Sequence, residues 1–297
     1  MERTRKASRT TPLLTALVVA ALATGTAWAC YCSTGTIIVK KFYDKNANGV
    51  HDVGEVRLAG WPMTLGSASL GTLGVLPTDS FGYAQFSNIP IGTDYIVSEA
   101  TPLGGNWVQS APVDAQGHPI NPQTGIAVQV GKTTQLTFGN YCTKPSGGKT
   151  PGYWHNKNGL ATLMDGGSLA PEFAILSALN LVGASGSAFD PTNHPQFATW
   201  LLDSNATNMA WKLSTHLAAM RLNVEAGFVD GTRIYAPFGG TINELIAVAN
   251  ASLADSPYTP SGHPDRAEQE VLKNYLDALN NGAGVVNPTP CARVFEY

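Results

Sequence analysis

The sequence predicts a multidomain chain, an N-terminal antiparallel β-sandwich followed by a mainly α-helical C-terminal domain. Three observations predict it. Residues 34–142 divide into short β-branched and aromatic runs between Gly, Pro and Asn turn signals. Residues 151–297 are richer in Ala, Leu and Asn, with apolar residues at helical spacing. Residues 144–150 (KPSGGKT) have the composition of a linker between the two. A length of 297 residues accommodates two domains. A hydrophobic content of 43% excludes a disordered chain. The net charge is −3 and basic residues cluster only at the extreme N-terminus, so nucleic acid is not an expected partner.

Arg3, Arg5, Lys6 and Arg9 precede an apolar run at 13–23, and Ala27 and Ala29 flank Trp28 just before Cys30. This is the pattern of a signal peptide over 1–29, and it implies a secreted or cell-surface chain. The positions before Cys30 lack the Leu and small residue of a lipoprotein signal, which disfavours a lipid on Cys30. Cleavage removes four basic residues and one acidic residue, so the mature chain is more acidic than the whole. No later run reaches the length of a membrane span, so no integral span is expected. Cys30, Cys32, Cys142 and Cys291 all remain after the cut. An even count in an exported chain points to disulfides, with three connectivities open. Cys30 and Cys32 are too close for an easy mutual bridge, so each is expected to pair with one of Cys142 and Cys291. No C-x-x-C pair supports a zinc ribbon or a thioredoxin site.

Runs 36–43 (TIIVKKFY), 61–65, 82–86, 94–99 (DYIVSE), 126–130 and 135–140 make up most of a set of about seven strands. Between the first two lies DKNANGVHDVGE, residues 44–55, with the spacing of a calcium loop. Asp44, Asn46 and Asn48 offer side-chain oxygens, Gly49 permits the sharp turn, and Val50 can supply its backbone carbonyl. Asp52 can act directly or through water, and Glu55 can close the shell with two oxygens. A hard cation needs this many oxygens, and calcium tolerates loose geometry better than magnesium does. The flanks read as strands, so the expected role of Ca2+ is structural rather than that of a helix-opening sensor.

These residues carry a resemblance. GTIIVKKFYDKNANGVHDVGE, a Gly-Trp strand and GYAQFSNIPIGTDYIVSE are similar to a B-type repeat of Gram-positive surface proteins. The segment resembles the B domains of serine-aspartate repeat surface proteins and of the collagen adhesin. The resemblance implies a prealbumin-like sandwich that acts as a stalk or spacer, often with bound calcium. It also implies an autocatalytic isopeptide bond between Lys41 and Asn140, promoted by Glu99. Strand alternation supports the same three residues independently. Lys41 shares a face with Ile37 and Val39, Glu99 with Tyr95 and Val97, and Asn140 with Leu136 and Phe138. Three polar groups on apolar faces are costly unless they meet. Burial favours a neutral amine and a protonated acid, which amide formation needs. The alternative is a hydrogen-bonded Lys41–Glu99 pair with no covalent bond.

In the second domain, Asn205 is expected to cap a helix over 206–223, with Met209, Leu213, Leu217 and Met220 in one buried stripe. Thr241 and Glu244 form a capping box that opens a helix to about residue 254. Pro264 begins another to about 280, with Val271, Leu272, Tyr275 and Leu279 inward, and Pro171 opens a further one. Four to six helices are expected in all. TPGYWHN, residues 150–156, resembles the T-P-G-Y-W-x-N opening of a helical module in bacterial exported proteins, which implies no particular chemistry. Gly148-Lys149-Thr150 lacks the first Gly of a P-loop, since Thr143 stands there. No H-E-x-x-H or G-x-S-x-G motif is present, and Trp154, Trp200 and Trp211 read as core. Two N-x-S/T sequons, at Asn205 and Asn250, are not expected to be modified in a bacterial chain. The last residues, RVFEY, form no sortase-type ending.

The resulting expectation is a secreted or cell-surface structural or adhesion-type protein, non-enzymatic, with extracellular matrix, surface glycan or protein as partner. The alternative is a secreted hydrolase or carbohydrate-binding protein with its site in the helical domain. Convergence of His155, His216 and a carboxylate in one pocket would favour the enzyme. An exposed Trp/Tyr row would favour the sugar binder.

Overall fold

Strand β1 (Thr34–Tyr43) is specified by its alternation: Ile37, Val39 and Lys41 are fully buried and the residues between them half-buried. This computed structural model describes residues 33–296. The expected signal peptide over 1–29, Cys30 and Cys32 lie outside the described residues. β1 is central in a sheet ordered β11-β8-β1-β4, with β6 (Trp107–Ala111) also pairing with β8. It runs antiparallel to β4 (Tyr83–Pro90) and parallel to β8 (Thr133–Pro145). The sandwich is therefore mixed, not antiparallel as expected. Alternation reveals which face a residue takes but not which way its neighbour runs. A parallel pair needs a long crossover, and the whole second sheet lies between β1 and β8 in sequence and supplies it.

That second sheet is antiparallel, ordered β3 (Gly71–Pro77), β2 (Pro62–Ser67), β5 (Gly92–Glu99), β7 (Gln123–Val128). β3 and β6 escape the sequence reading. Every residue of β3 is at least partly exposed, so it carries no in–out alternation, and β6 is only five residues long, too short to show one. Between the sheets, Ile37, Val39 and Phe138 pack with Met63, Leu65, Tyr95 and Val97.

β8 runs on through Lys144 and Pro145, where it pairs with β11 (Gly284–Val286). The expected linker at 144–150 is thus a packed seam. Ser146 Oγ donates to Leu279 O at 2.7 Å, and Asn223 holds Lys149 through both its amide oxygen (2.9 Å) and nitrogen (2.8 Å). These bonds satisfy a backbone that its Gly/Ser composition alone would leave free. From Ser33 onward the chain clusters as one compact unit.

The helical part contains α1 (Pro151–Trp154), α2 (Lys157–Leu163), α3 (Ala170–Ser177), α4 (His194–Asp203) and α5 (Met209–Glu225). A short hairpin of β9 (Ile234–Tyr235) and β10 (Gly240–Thr241) leads into α6 (Ile242–Asp255), and α7 (Arg266–Asn280) follows. Among the described residues that is seven helices, one above the expected four to six, and the shortest two, α1 and α2, are too short to show helical periodicity. α5 is the axis: Met209, Leu213, Leu217 and Met220 are all buried, as the stripe predicts. Its cap is Asn208, not Asn205. Asn208 Oδ1 accepts from Ala210 N at 3.1 Å, whereas Asn205 closes a turn onto Thr207 N. The Thr241–Glu244 capping box is present as read. On α7, Leu272 and Leu279 face inward as expected and Tyr275 packs partly buried against the core, but Val271 is exposed and Leu276 takes the remaining inward place.

Leu217→Ala should lower the stability of the folded chain by about 2–5 kcal/mol, whereas Val271→Ala should change it by no more than about 0.5 kcal/mol. Urea unfolding of the two variants checks the assignment of buried and exposed faces.

Candidate functional site

Lys41 on β1, Glu99 on β5 and Asn140 on β8 meet between the two sheets, with exposures of 0%, 7% and 3%. Lys41 stands opposite Phe138 in the β1–β8 ladder, and Asn140 lies two residues further along, on the same face. Lys41 Nζ donates to Glu99 Oε2 and to Asn140 Oδ1. Asn140 Nδ2 donates to the other oxygen, Glu99 Oε1, at 2.9 Å. One carboxylate therefore spans both nitrogens. Trp61 covers Lys41, its ring centroid 4.1 Å from Nζ. Desolvation by burial lowers the Lys41 pKa from 10.5 to about 8, outweighing the upward pull of the Glu99 charge and hydrogen bond. A substantial neutral fraction of the amine is thereby present near neutral pH.

The cluster is closed from one side by the end of the chain. Cys142, two residues beyond Asn140, forms a disulfide with Cys291. The expected pairing of Cys30 and Cys32 with these two cysteines is corrected by this bond. The β11–β8 pairing brings residue 286 beside Thr143, and Asn287 N then donates to Cys142 O at 2.8 Å, so Cys291 arrives next to Cys142. Beyond it, Phe295 joins the sandwich core, Leu103 N donates to Val294 O at 2.8 Å, and Arg293 donates to Ala59 O. Sequence reasoning did not anticipate Trp61, Arg293 or Phe295 near this cluster. The only available signal was an aromatic–cation cluster at the very end of an otherwise polar tail.

In the 44–55 loop, Asp44 is fully buried, and its two oxygens accept from Asn48 N (3.2 Å) and Gly49 N (2.7 Å). Glu55 accepts from Lys45 N (2.8 Å) and Asp52 N (3.0 Å). Asn46 and Asn48 both turn Nδ2 toward Asp52 Oδ2, each at 2.8 Å. Gly49, at a φ of +78°, is packed so closely that a Cβ there would lie 2.9 Å from Ser110 O. Burial raises the Glu55 pKa, and the charges of Asp44 and Asp52 add to the rise. Among the described residues, no salt bridge reaches Asp44, Asp52 or Glu55. The loop's own N–H groups occupy their oxygens, and no three His, Cys, Asp or Glu side chains among the described residues are grouped around an ion position. The six expected donors, Asp44, Asn46, Asn48, Val50, Asp52 and Glu55, lie on one tight coil between β1 and β2.

In the helical part, Trp154, Trp200 and Trp211 are core residues. A cleft of about 140 Å³ beside Trp154 is lined by Thr162, Asp165, Glu172 and Glu225 among others, and neither His155 nor His216 reaches it. His216 instead lies inside the packing of α5 on α7, its Nδ1 3.7 Å from Asp277 Oδ1. Among the described residues, no helix is long and apolar enough to cross a membrane.

No family model matches the chain, and no curated protein does. Solved structures do. The Bacillus anthracis TIE protein is similar over 38% of this chain and 17% of its own, at 20% identity and a TM-score of 0.27. GBS52, the minor pilin of Streptococcus agalactiae, is similar over 36% of this chain and 44% of its own, at 19% identity and a TM-score of 0.26. The shaft pilin SpaA of Lactobacillus rhamnosus GG is similar over 38% of this chain and 52% of its own, at 11% identity and a TM-score of 0.26. The chain thus spans between 17% and 52% of the length of these proteins.

Desolvation lowers the His216 pKa from 6.5 to about 4, against the opposing pull of Asp277. The unfolded chain therefore binds a proton that the folded chain refuses, and stability falls as pH drops from about 6.5 toward 4. In His216→Gln that part of the acid-side loss should vanish, as read by urea midpoints at pH 7 and pH 5.

Proposed function

We propose that the chain is a secreted or cell-surface structural, adhesion-type protein, non-enzymatic, whose sandwich is braced by a Lys41–Asn140 isopeptide bond and steadied by calcium in the 44–55 loop. The observation that carries the reading is the Glu99 carboxylate bridging the attacking and the leaving nitrogen in a dry core. Neutral Lys41 Nζ attacks Asn140 Cγ, so the Nζ–Cγ bond forms and the Cγ–Nδ2 bond breaks. Glu99 takes the proton from Nζ through Oε2 and returns it through Oε1 to Nδ2, which leaves as ammonia. Two neutral groups become a neutral amide and ammonia, and the cost of burying a charge at Lys41 disappears with the amine. The cluster is sealed from solvent, so its chemistry is confined to the chain itself.

The 44–55 loop fits a hard cation in the kind of donor it offers. Asp44, Asp52 and Glu55 supply carboxylate oxygens from one coil, and each oxygen that accepts one N–H keeps a second lone pair. A half-turn of the Asn46 and Asn48 amides presents their oxygens to the same region. Asp44, Asn46, Asn48, Asp52 and Glu55 with the Val50 carbonyl would hold the ion, which supplies charge neutralisation and a tether between β1 and β2. Matrix, surface glycan or surface protein is the partner class that fits an exported stalk of this build.

Trypsin digestion of the reduced protein should yield one branched peptide joining the segments of Lys41 and Asn140. Glu99→Gln should give the two as separate peptides, and separate peptides in the unaltered protein would reject the bond. Calcium at a hundredfold excess over its dissociation constant should add about 2.7 kcal/mol of stability. Thermal melts in calcium and in chelator should differ by several degrees in the unaltered protein and coincide in Glu55→Gln.

A further inference from the structure

Trp61 is the cover of Lys41, and the end of the chain is the cover of Trp61. The Trp61 ring is wholly buried and touches Lys41 Nζ at 4.1 Å, Trp107 at 5.2 Å, Phe295 at 5.2 Å and Arg293 Cζ at 5.6 Å. Phe295 and Arg293 belong to the tail that follows Cys291. Trp107 is itself tied to that tail, its Nε1 donating to Ala292 O at 3.4 Å. Cys142, the anchor of the tail, shares a face of β8 with Asn140.

We propose that this tail is a lid on the crosslinking centre, with Trp61, Arg293 and Phe295 as positioning residues that keep Lys41 dry, so that the isopeptide forms only once the Cys142–Cys291 disulfide has docked the last residues. The inference rests on the crosslinking reading above. Its physical content is access of water to Lys41. The nucleophile is the neutral amine, and burial is the largest influence holding the Lys41 pKa down at about 8. The charged groups that act on it are Glu99 from β5, which pulls the pKa up, and Arg293 from the tail, which pushes it down. Withdrawing the tail removes Phe295 and Arg293 together and opens Trp61 to solvent. Each unit by which the pKa then climbs back toward 10.5 lowers the neutral fraction at pH 7 about tenfold.

The arrangement imposes an order on maturation. Every strand that carries the three reacting groups precedes the helical part, yet the lid follows it. A chain whose residues 292–296 have not docked holds its own sandwich unreacted, so the bond follows the docking of that segment. The disulfide forms by exchange with an external disulfide, which is reduced to two thiols as Cys142 and Cys291 are oxidised.

The test starts from full-length chain that has never folded, taken from inclusion bodies into denaturant and reductant, with its unmodified intact mass confirming that neither bond is present at the outset. Refolding with oxidised glutathione, followed by reduction and intact-mass measurement over time, reads the loss of about 17 mass units on crosslinking. The unaltered chain should lose it at a rate that levels off above about pH 8, near the Lys41 pKa. A chain ending at Cys291, the Arg293→Ala variant and the unaltered chain refolded without oxidant should each be at least about tenfold slower at pH 7, with rates still climbing past pH 9. Arg293→Lys, which keeps a cation over Trp61, should recover most of the rate. Circular dichroism separates this from failure to fold, and Phe295→Leu serves as the milder lid variant where Arg293→Ala does not fold. Shortened and unaltered chains that crosslink with the same rate and pH profile overturn the lid. If the unaltered chain loses no mass, the crosslinking reading itself fails. Acetic anhydride labelling of Lys41 in the same samples then decides the lid alone: protection in the unaltered chain and labelling in the shortened one support it, and equal labelling overturns it.

Discussion

Removal of the Lys41 amine from water is the constraint on which the rest of the sandwich turns. A lysine at 0% exposure has its pKa lowered from 10.5 to about 8 by burial even with Glu99 pulling it up, a penalty on its charged form that would be larger without that partner. Only groups that meet the amine directly can offset that penalty. Glu99 and Asn140 do so, and they come from the other sheet and from the neighbouring strand. The two sheets are thus registered to each other at a polar point inside an apolar layer, where a one-residue slip of any of the three strands would turn its polar group to the wrong face.

β8 carries this constraint into the rest of the chain. One strand presents Phe138 to the core, Asn140 to Lys41 and Cys142 to the tail, then extends through Lys144 and Pro145 to pair with β11. The helical part leaves the sandwich by β8 and returns to it through β11, and the disulfide closes the excursion at its base. The central α5 helix, buried on nearly all sides, gives that excursion a core of its own. Just past β8, Ser146 donates to Leu279 O and Lys149 is held by Asn223, which also donates to Asn280, so polar bonds as well as apolar packing fix the seam.

Much of this was legible in the residues, for reasons that differ from element to element. Lys41, Glu99 and Asn140 could be placed together because the resemblance to collagen-adhesin-type domains implies it and period-two alternation, which assigns each to an apolar face, supports it. The Thr241 capping box was legible because its chemistry is local. The parallel run of β8 beside β1 was not, since alternation carries no direction. Asn208 displaced Asn205 as a cap because its amide also receives Thr259 N at 2.9 Å, a tertiary bond invisible in the local pattern. The Cys142–Cys291 pair and the docking of Phe295 depend on where β11 returns, which no spacing encodes. The carboxylate loop was legible as a donor pattern, but the seating of those oxygens on the loop's own N–H groups was not.

The intact mass of the natively exported protein, under denaturing conditions before and after reductant, tests the covalent brace most directly. The account predicts a deficit of about 17 mass units that reductant leaves in place, with about two units regained for each disulfide reduced. A reduced mass equal to that of the unmodified processed chain would contradict it and leave Lys41, Glu99 and Asn140 as a hydrogen-bonded cluster only.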